Sequence, residues 1–214
     1  MKGTGINMTE LQTPEIPQKE EKIPFSREVK IRGKKYIFDG EIPKELDHFN
    51  WCLRVPNWEV QKKKLEELIA KGERSSSVFE NLQLASGEIS FHPWNGAVAG
   101  ITVDPAESET DEKAMLVVGI QTMTSPLPDE YGYRNARGLG SFLLDNLGAL
   151  ADYRGWKIYL DPSAHGAGLS GGELDQWYVR HGYSRSTSNR VHGFQRDPQT
   201  PDNRQVISKI LEGA

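Results

Sequence analysis

Arg134-Asn135-Ala136-Arg137-Gly138-Leu139-Gly140-Ser141 stands between two stretches of different hydrophobic period, and that position decides the fold. Upstream, Ala114 to Thr122 is a nearly continuous apolar run, suited to a strand covered on both faces. Downstream, Leu139, Phe142, Leu143, Leu147, Leu150 and Ala151 recur at helical spacing, and Gly155 stands where a helix C-cap glycine belongs. Trp156 to Leu160 then reads as another strand. Strand, glycine turn, helix and strand make a crossover unit, which leaves main-chain N–H groups at the helix start. Gly138 and Gly140 let the backbone approach a ligand with no Cβ in the way. The orphan amides and the helix dipole both favour negative charge there. The turn therefore reads as a diphosphate socket, to which Arg137 adds a charge-assisted contact. The competing explanation is a helix that opens with Gly for packing alone.

Towards the C-terminus, a Gly- and Ser-rich loop spans Asp161 to Gly172, Glu173 to His181 reads as a short helix, and Tyr183 to Arg196 holds one or two closing strands. Towards the N-terminus, Ile89-Ser90-Phe91 and Ala97 to Val103 flank Trp94-Asn95-Gly96, where Asn-Gly supplies the positive-φ positions of a hairpin turn. Asp104 to Lys113 reads as an acidic loop. Two helices are expected before that. One runs from Pro43 to Cys52, with Leu46, Phe49 and Leu53 apolar; the second is capped by Asn57, buries Val60, Leu65, Leu68 and Ile69, and ends at Gly72. Val29, Ile31, Tyr36 and Phe38 flank Arg32-Gly33-Lys34-Lys35 and predict a short hairpin, with Lys30, Arg32, Lys34 and Lys35 on its wet face. Residues 1–24, broken by Pro14, Pro17 and Pro24 and poor in apolar side chains, read as a flexible or extended arm before a domain over residues 25–214.

The glycine turn followed by Ser141-Phe142-Leu143-Leu144 resembles the acetyl-CoA-binding motif Gln/Arg-x-x-Gly-x-Gly/Ala of the GNAT superfamily of N-acetyltransferases, with Asn135 in the first position. Trp177-Tyr178-Val179-Arg180-His181-Gly182-Tyr183 is similar to the late helix of that family, which ends Tyr-x-x-x-Gly-Phe; here Tyr183 replaces Phe. The two signatures come in the family's order over Ala114 to Arg196, whereas Phe25 to Val103 agrees only in its succession of elements. Gly171 stands where the family often has Asn, Leu127 to Tyr133 looks like an insertion, and the loop Asp161 to Ser170 looks like those of bacteriophage-encoded members. The resemblance implies an α/β fold with a mixed, strongly bent central sheet flanked by helices.

It also implies a chemistry: an amine attacks the thioester of acetyl-CoA directly in a ternary complex, without an acyl-enzyme. Asn135, Ala136, Arg137, Gly138, Leu139, Gly140 and Ser141 would cradle the diphosphate, and Thr122, Met123 and Thr124 would hydrogen-bond the pantetheine arm through their backbone. A main-chain N–H would meet the developing oxyanion. Tyr178 matches the family's general acid. Its ordinary pKa of ~10 against ~8.5 for a thiol makes full donation mildly uphill, so its value lies in proximity and hydrogen bonding. Glu130, Asp161 and His165 are the neighbouring candidates for a general base. The amine acceptor is not named by the sequence, and a homodimer is compatible with this reading.

Other classes are weaker. Gly168-Leu169-Ser170-Gly171-Gly172 fits the Gly-x-Ser-x-Gly pattern of serine hydrolases, with His181 and His192 downstream, but about eight loop residues separate Ser170 from its strand where an elbow would follow at once. A catalytically silent binding or structural module of the same fold is the non-enzyme alternative. No Gly-Lys-Ser/Thr phosphate loop is present, and Leu143 occupies the place of the third glycine of a dinucleotide fingerprint. The five His are scattered and Cys52 is the single cysteine, so neither a metal site nor an internal disulfide is expected, and a reducing, cytoplasmic setting is. A formal net charge of −4 argues against phosphate-driven nucleic-acid binding, and no run approaches the ~20 apolar residues of a membrane span.

Overall fold

The computed structural model describes residues 22–73, 96–106, 113–122, 137–162, 171–186 and 193–213. They form one mixed sheet of eight strands in the order β1-β2-β3-β4-β5-β6-β8-β7, with four helices among the described residues. Every pairing is antiparallel except β5 (Ala114–Thr122) with β6 (Lys157–Leu160), which is parallel. Parallel neighbours need a crossover, and the helix that follows the glycine turn provides it. That helix, α2 (Leu139–Arg154), packs on β4, β5 and β6. Leu139, Leu143, Leu144, Leu147 and Leu150 are all buried, so the expected stripe is the core face. Gly155 closes the helix with φ 69° and its N–H on the Ala151 carbonyl, as a left-handed C-cap should.

The N-terminal hairpin is longer than expected. β1 (Lys22–Ile31) and β2 (Lys34–Pro43) pair along their whole length, so Lys22, Ile23 and Pro24, placed in the arm by composition, belong to the sheet. Arg32 and Gly33, at φ 48° and 86°, form the two-residue turn with positive φ at both positions that matches strand twist. Lys30, Arg32, Lys34 and Lys35 are exposed, as the wet-face reading requires.

Two expectations fail here. The helix foreseen over Pro43 to Cys52 is instead a strand, β3 (Phe49–Arg54), paired with β2 on one side and β4 (Ala97–Ala106) on the other. Phe49, Trp51 and Leu53 alternate with half-buried residues, a period of two that the spacing of Leu46, Phe49 and Leu53 conceals. Asp104 and Pro105, expected in the acidic loop, belong instead to β4, opposite Leu116 and Met115. Pro105 is tolerated because β3 stops pairing at Val103, so no ladder partner on that side needs its missing N–H.

Helix α1 (Trp58–Ala70) forms where expected, and Gly72 follows it at φ 72°. Asn57 precedes it in a left-handed conformation and makes no side-chain cap bond, while Val60, expected in the core, is exposed. The strand β5 is not covered on both faces throughout. Ala114, Met115 and Val117 are buried, but Val118 to Thr122 are half-buried or exposed.

After β6 come α3 (Gly171–Arg180), β7 (Ser184–Arg185) and β8 (Phe194–Arg196), in the places predicted for a helix and closing strands. A last helix, α4 (Val206–Glu212), went unread in the sequence and packs on α2. Its first turn is held by Asn146, which accepts from the Ile207 N–H at 3.1 Å and donates to the Phe142 carbonyl at 2.9 Å. No described helix is long and apolar enough to cross a membrane.

Candidate functional site

The sheet splits between β5 and β6. Their pairing runs from Ala114 opposite Lys157 to Val117 opposite Leu160 and stops, although β5 continues five residues to Thr122 beside β4. At the stopping point the β4–β5 register slips: Thr102 faces Gly119 and Val103 faces Val117, leaving Val118 as an extra, bulged residue that is 53% exposed. A bulge bends its strand and sharpens the local twist, and β6 itself ends at Leu160. From Val118 to Thr122 that edge of β5 has no strand partner among the described residues. The gap lies at the carboxyl ends of two parallel strands, where open α/β sheets bind their ligands.

Helix α2 starts beside this gap. Gly138 precedes it at φ 85°, a left-handed conformation that strains any other residue, and its carbonyl accepts the first bonded helical amide, from Phe142 at 3.0 Å. The amides of Leu139, Gly140 and Ser141 have no acceptor among the described residues. Leu139 is 1% exposed and Gly140 is buried too, whereas Gly138 and Ser141 are half-buried and Arg137 is exposed.

Both glycines face side chains. A Cβ on Gly140 would lie 3.3 Å from the Trp177 indole and 3.7 Å from Cγ2 of Thr122. The end of β5, the start of α2 and the end of α3 therefore converge on Gly140. A Cβ on Gly138 would lie 3.1 Å from Nε of Arg32, which brings the tip of the β1–β2 hairpin to the same helix start. The small size of Gly140 thus serves packing as well as any ligand.

Tyr178 is 6% exposed and belongs to the core cluster. Its ring centroid is 4.9 Å from Trp177, 5.5 Å from Phe194 and 6.0 Å from Tyr183. Burial pushes its phenol up to about 12, because the low-dielectric surroundings penalise the phenolate. Asp161, the one base candidate among the described residues, follows Leu160 and is exposed.

A second polar chain runs from α2 to α3. Trp177 Nε1 donates to Ser141 Oγ at 3.0 Å, His181 Nε2 lies 3.1 Å from the same oxygen, and His181 Nδ1 lies 2.7 Å from Oδ1 of Asp145. The resemblance gives Ser141 to the diphosphate and places Trp177 and His181 in the late motif without a role of their own, and no motif in the sequence singles out Asp145. The readable signal was the i, i+4 spacing of Ser141 and Asp145 on one helix face, with His181 inside the late motif.

No family model, curated protein or solved structure matches this chain. Thr122, Gly138, Gly140, Ser141 and the Trp177–Tyr178 pair come together at one end of the sheet, while Met123, Thr124, Asn135 and Ala136 lie outside the described residues. Glu130, His165, Ser170, His192 and the insertion Leu127 to Tyr133 lie outside them as well. Chemically, this end of the sheet offers a strand edge on β5 that is unpaired among the described residues and a helix start whose first amides are unpaired among them, while the Tyr178 phenol lies in the adjoining core.

Proposed function

We propose that this chain is an acyl-CoA-dependent N-acyltransferase with a GNAT-like fold, transferring an acetyl group from acetyl-CoA to an amine. The observation that carries the reading is the split after Val117 and Leu160, with the bulge at Val118 on one side and the amides of α2 at its end. Diphosphate and a pantetheine arm need those two things in series: convergent N–H groups, then a strand edge that pairs with amides.

On this reading the amides of Leu139, Gly140 and Ser141, with the turn from Asn135 to Gly138, hold the diphosphate. The backbone from Val118 through Thr122, Met123 and Thr124 takes the pantetheine. A neutral amine attacks the thioester carbonyl, forming the N–C bond; the C–S bond breaks, and the amine's proton leaves to solvent or a base. A main-chain N–H of β5 meets the oxyanion. A phenol at about 12 facing a thiol near ~8.5 makes complete transfer uphill by roughly 5 kcal/mol. Tyr178 therefore acts as a hydrogen-bond donor to the leaving sulfur, and the proton that finally yields the thiol comes from water.

The test pairs a thermal shift with mass spectrometry. Acetyl-CoA should raise the melting temperature, S-acetylpantetheine, lacking the diphosphate, should do so far less, and candidate amines should gain an acetyl group. A shift without transfer to any amine assigns a silent binding module instead. No shift at millimolar acetyl-CoA sinks the proposal.

A further inference from the structure

We propose that Ser141 is a nucleophile activated by His181 and oriented through Asp145, giving the chain a serine-esterase activity towards small activated acyl esters. The nucleophile-to-base separation of 3.1 Å and the base-to-carboxylate separation of 2.7 Å both fall within hydrogen-bond reach, as an activated serine requires. The hydrogen-bond directions agree. An indole N–H can only donate, so Ser141 Oγ accepts from Trp177 and its own hydroxyl hydrogen is free for His181 Nε2. The neutral imidazole then carries its hydrogen on Nδ1 and gives it to Asp145, which is the tautomer a general base needs.

The side chains are placed for the job. Ser141 and Asp145 are one helical turn apart on α2, and His181 follows the last residue of α3, so two rigid elements set the geometry. The His181 side chain is 13% exposed and held; Asp145 is 46% exposed, so its grip on the imidazole is weaker than a buried carboxylate's. The amide of half-buried Ser141, which has no acceptor among the described residues, offers a donor for an oxyanion at the same helix start. A polar cavity of about 280 Å³, lined by Asp145, His181, Gly148, Asp152 and Arg196 among others, opens on the His181–Asp145 side of the chain.

The reaction balances with water as the only co-reactant. Ser141 Oγ forms a bond to the carbonyl carbon while its proton passes to His181 Nε2; the C–O bond to the leaving alcohol breaks, and His181 returns the proton to that oxygen. Water then attacks the acyl-serine, giving its proton to His181, and the Ser141 oxygen leaves and is reprotonated, releasing the carboxylic acid.

A fluorophosphonate probe with intact-mass and peptide mapping tests this on the full chain, without coenzyme A, so its outcome is separate from that of the thermal shift above. A single adduct on Ser141 is expected, absent in Ser141→Ala. In His181→Gln the labelling rate should fall by about 100-fold. Asp145→Asn should slow labelling about tenfold, and Asp145→Glu should restore part of the rate. Melting curves of the variants establish that they fold. No adduct, an adduct on another serine such as Ser170, or a rate unchanged in a folded His181→Gln protein overturns the proposal.

Discussion

Arg196 on β8 donates from Nη1 and Nη2 to the two carboxylate oxygens of Asp152 on α2, each at 2.8 Å, and both side chains are buried. Asp152 accepts a third bond from the Gln199 N–H at 2.7 Å. Gly148 makes room for the guanidinium: a Cβ there would lie 3.3 Å from Cζ of Arg196. The pair ties the closing strand, and with it the chain leading to α4, to the helix whose start forms the candidate site.

Removing one member of such a pair leaves the other buried and uncompensated. Asp152→Ala should therefore cost about 3–5 kcal/mol of stability, well beyond the worth of a surface ion pair. Urea unfolding measures it directly; a loss under 1 kcal/mol would mean that the guanidinium reaches water without the carboxylate.

Tyr183 calls for the opposite outcome. Its hydroxyl is buried with no hydrogen-bond partner among the described residues, and burial, the largest influence, pushes the phenol strongly up. A buried hydroxyl without a partner costs about 1–3 kcal/mol, so Tyr183→Phe should hold stability level or raise it by about 1 kcal/mol. Chemical denaturation of the two proteins decides this. A drop would reveal a partner for the oxygen, such as a buried water.

If Tyr178 donates to the leaving sulfur as proposed, Tyr178→Phe should lower turnover by about tenfold to a hundredfold while leaving acetyl-CoA affinity nearly unchanged, because such a hydroxyl is used only once sulfur begins to leave. Equal losses in both would contradict the role. The folded-state value of about 12 exceeds the ordinary 10, so the neutral phenol is favoured in the fold. Its contribution to stability is complete below pH 10 and is lost as pH rises from 10 to 12. The kcat profile of the unaltered chain should accordingly show no basic limb from this residue below about pH 11, and a limb near pH 9 would identify another donor.

Cys52 should be a poor nucleophile. Burial, and then the neighbouring Asp39 carboxylate, push its thiol up to about 11. At pH 8 only about one thiol in a thousand is then ionised, against roughly a quarter of free cysteine. Reaction with a disulfide reagent should run on the order of 100-fold slower than with free cysteine and rise steeply with pH. A rate equal to that of free cysteine would show that the β3 face around Cys52 is open to solvent.

What sequence alone determined is whatever depends on short-range chemistry. The stripe of leucines fixes the buried face of α2, Gly155 its end, and Arg32-Gly33 a turn, because periodicity and backbone freedom act within a few residues. The glycine turn and the late Trp-Tyr motif are each legible as local patterns, but their meeting at Gly140, Ser141 and Trp177 is not. Tertiary structure decided the rest. Phe49 to Arg54 carries two competing local periods, and it is a strand because β2 and β4 offer it two ladders that decide between them. The bulge at Val118 and the split beside it exist only once β4, β5 and β6 are aligned, for a register is a relation between chains of residues distant in sequence. Likewise Ser141 and His181, forty positions apart, meet only when α3 folds back on α2.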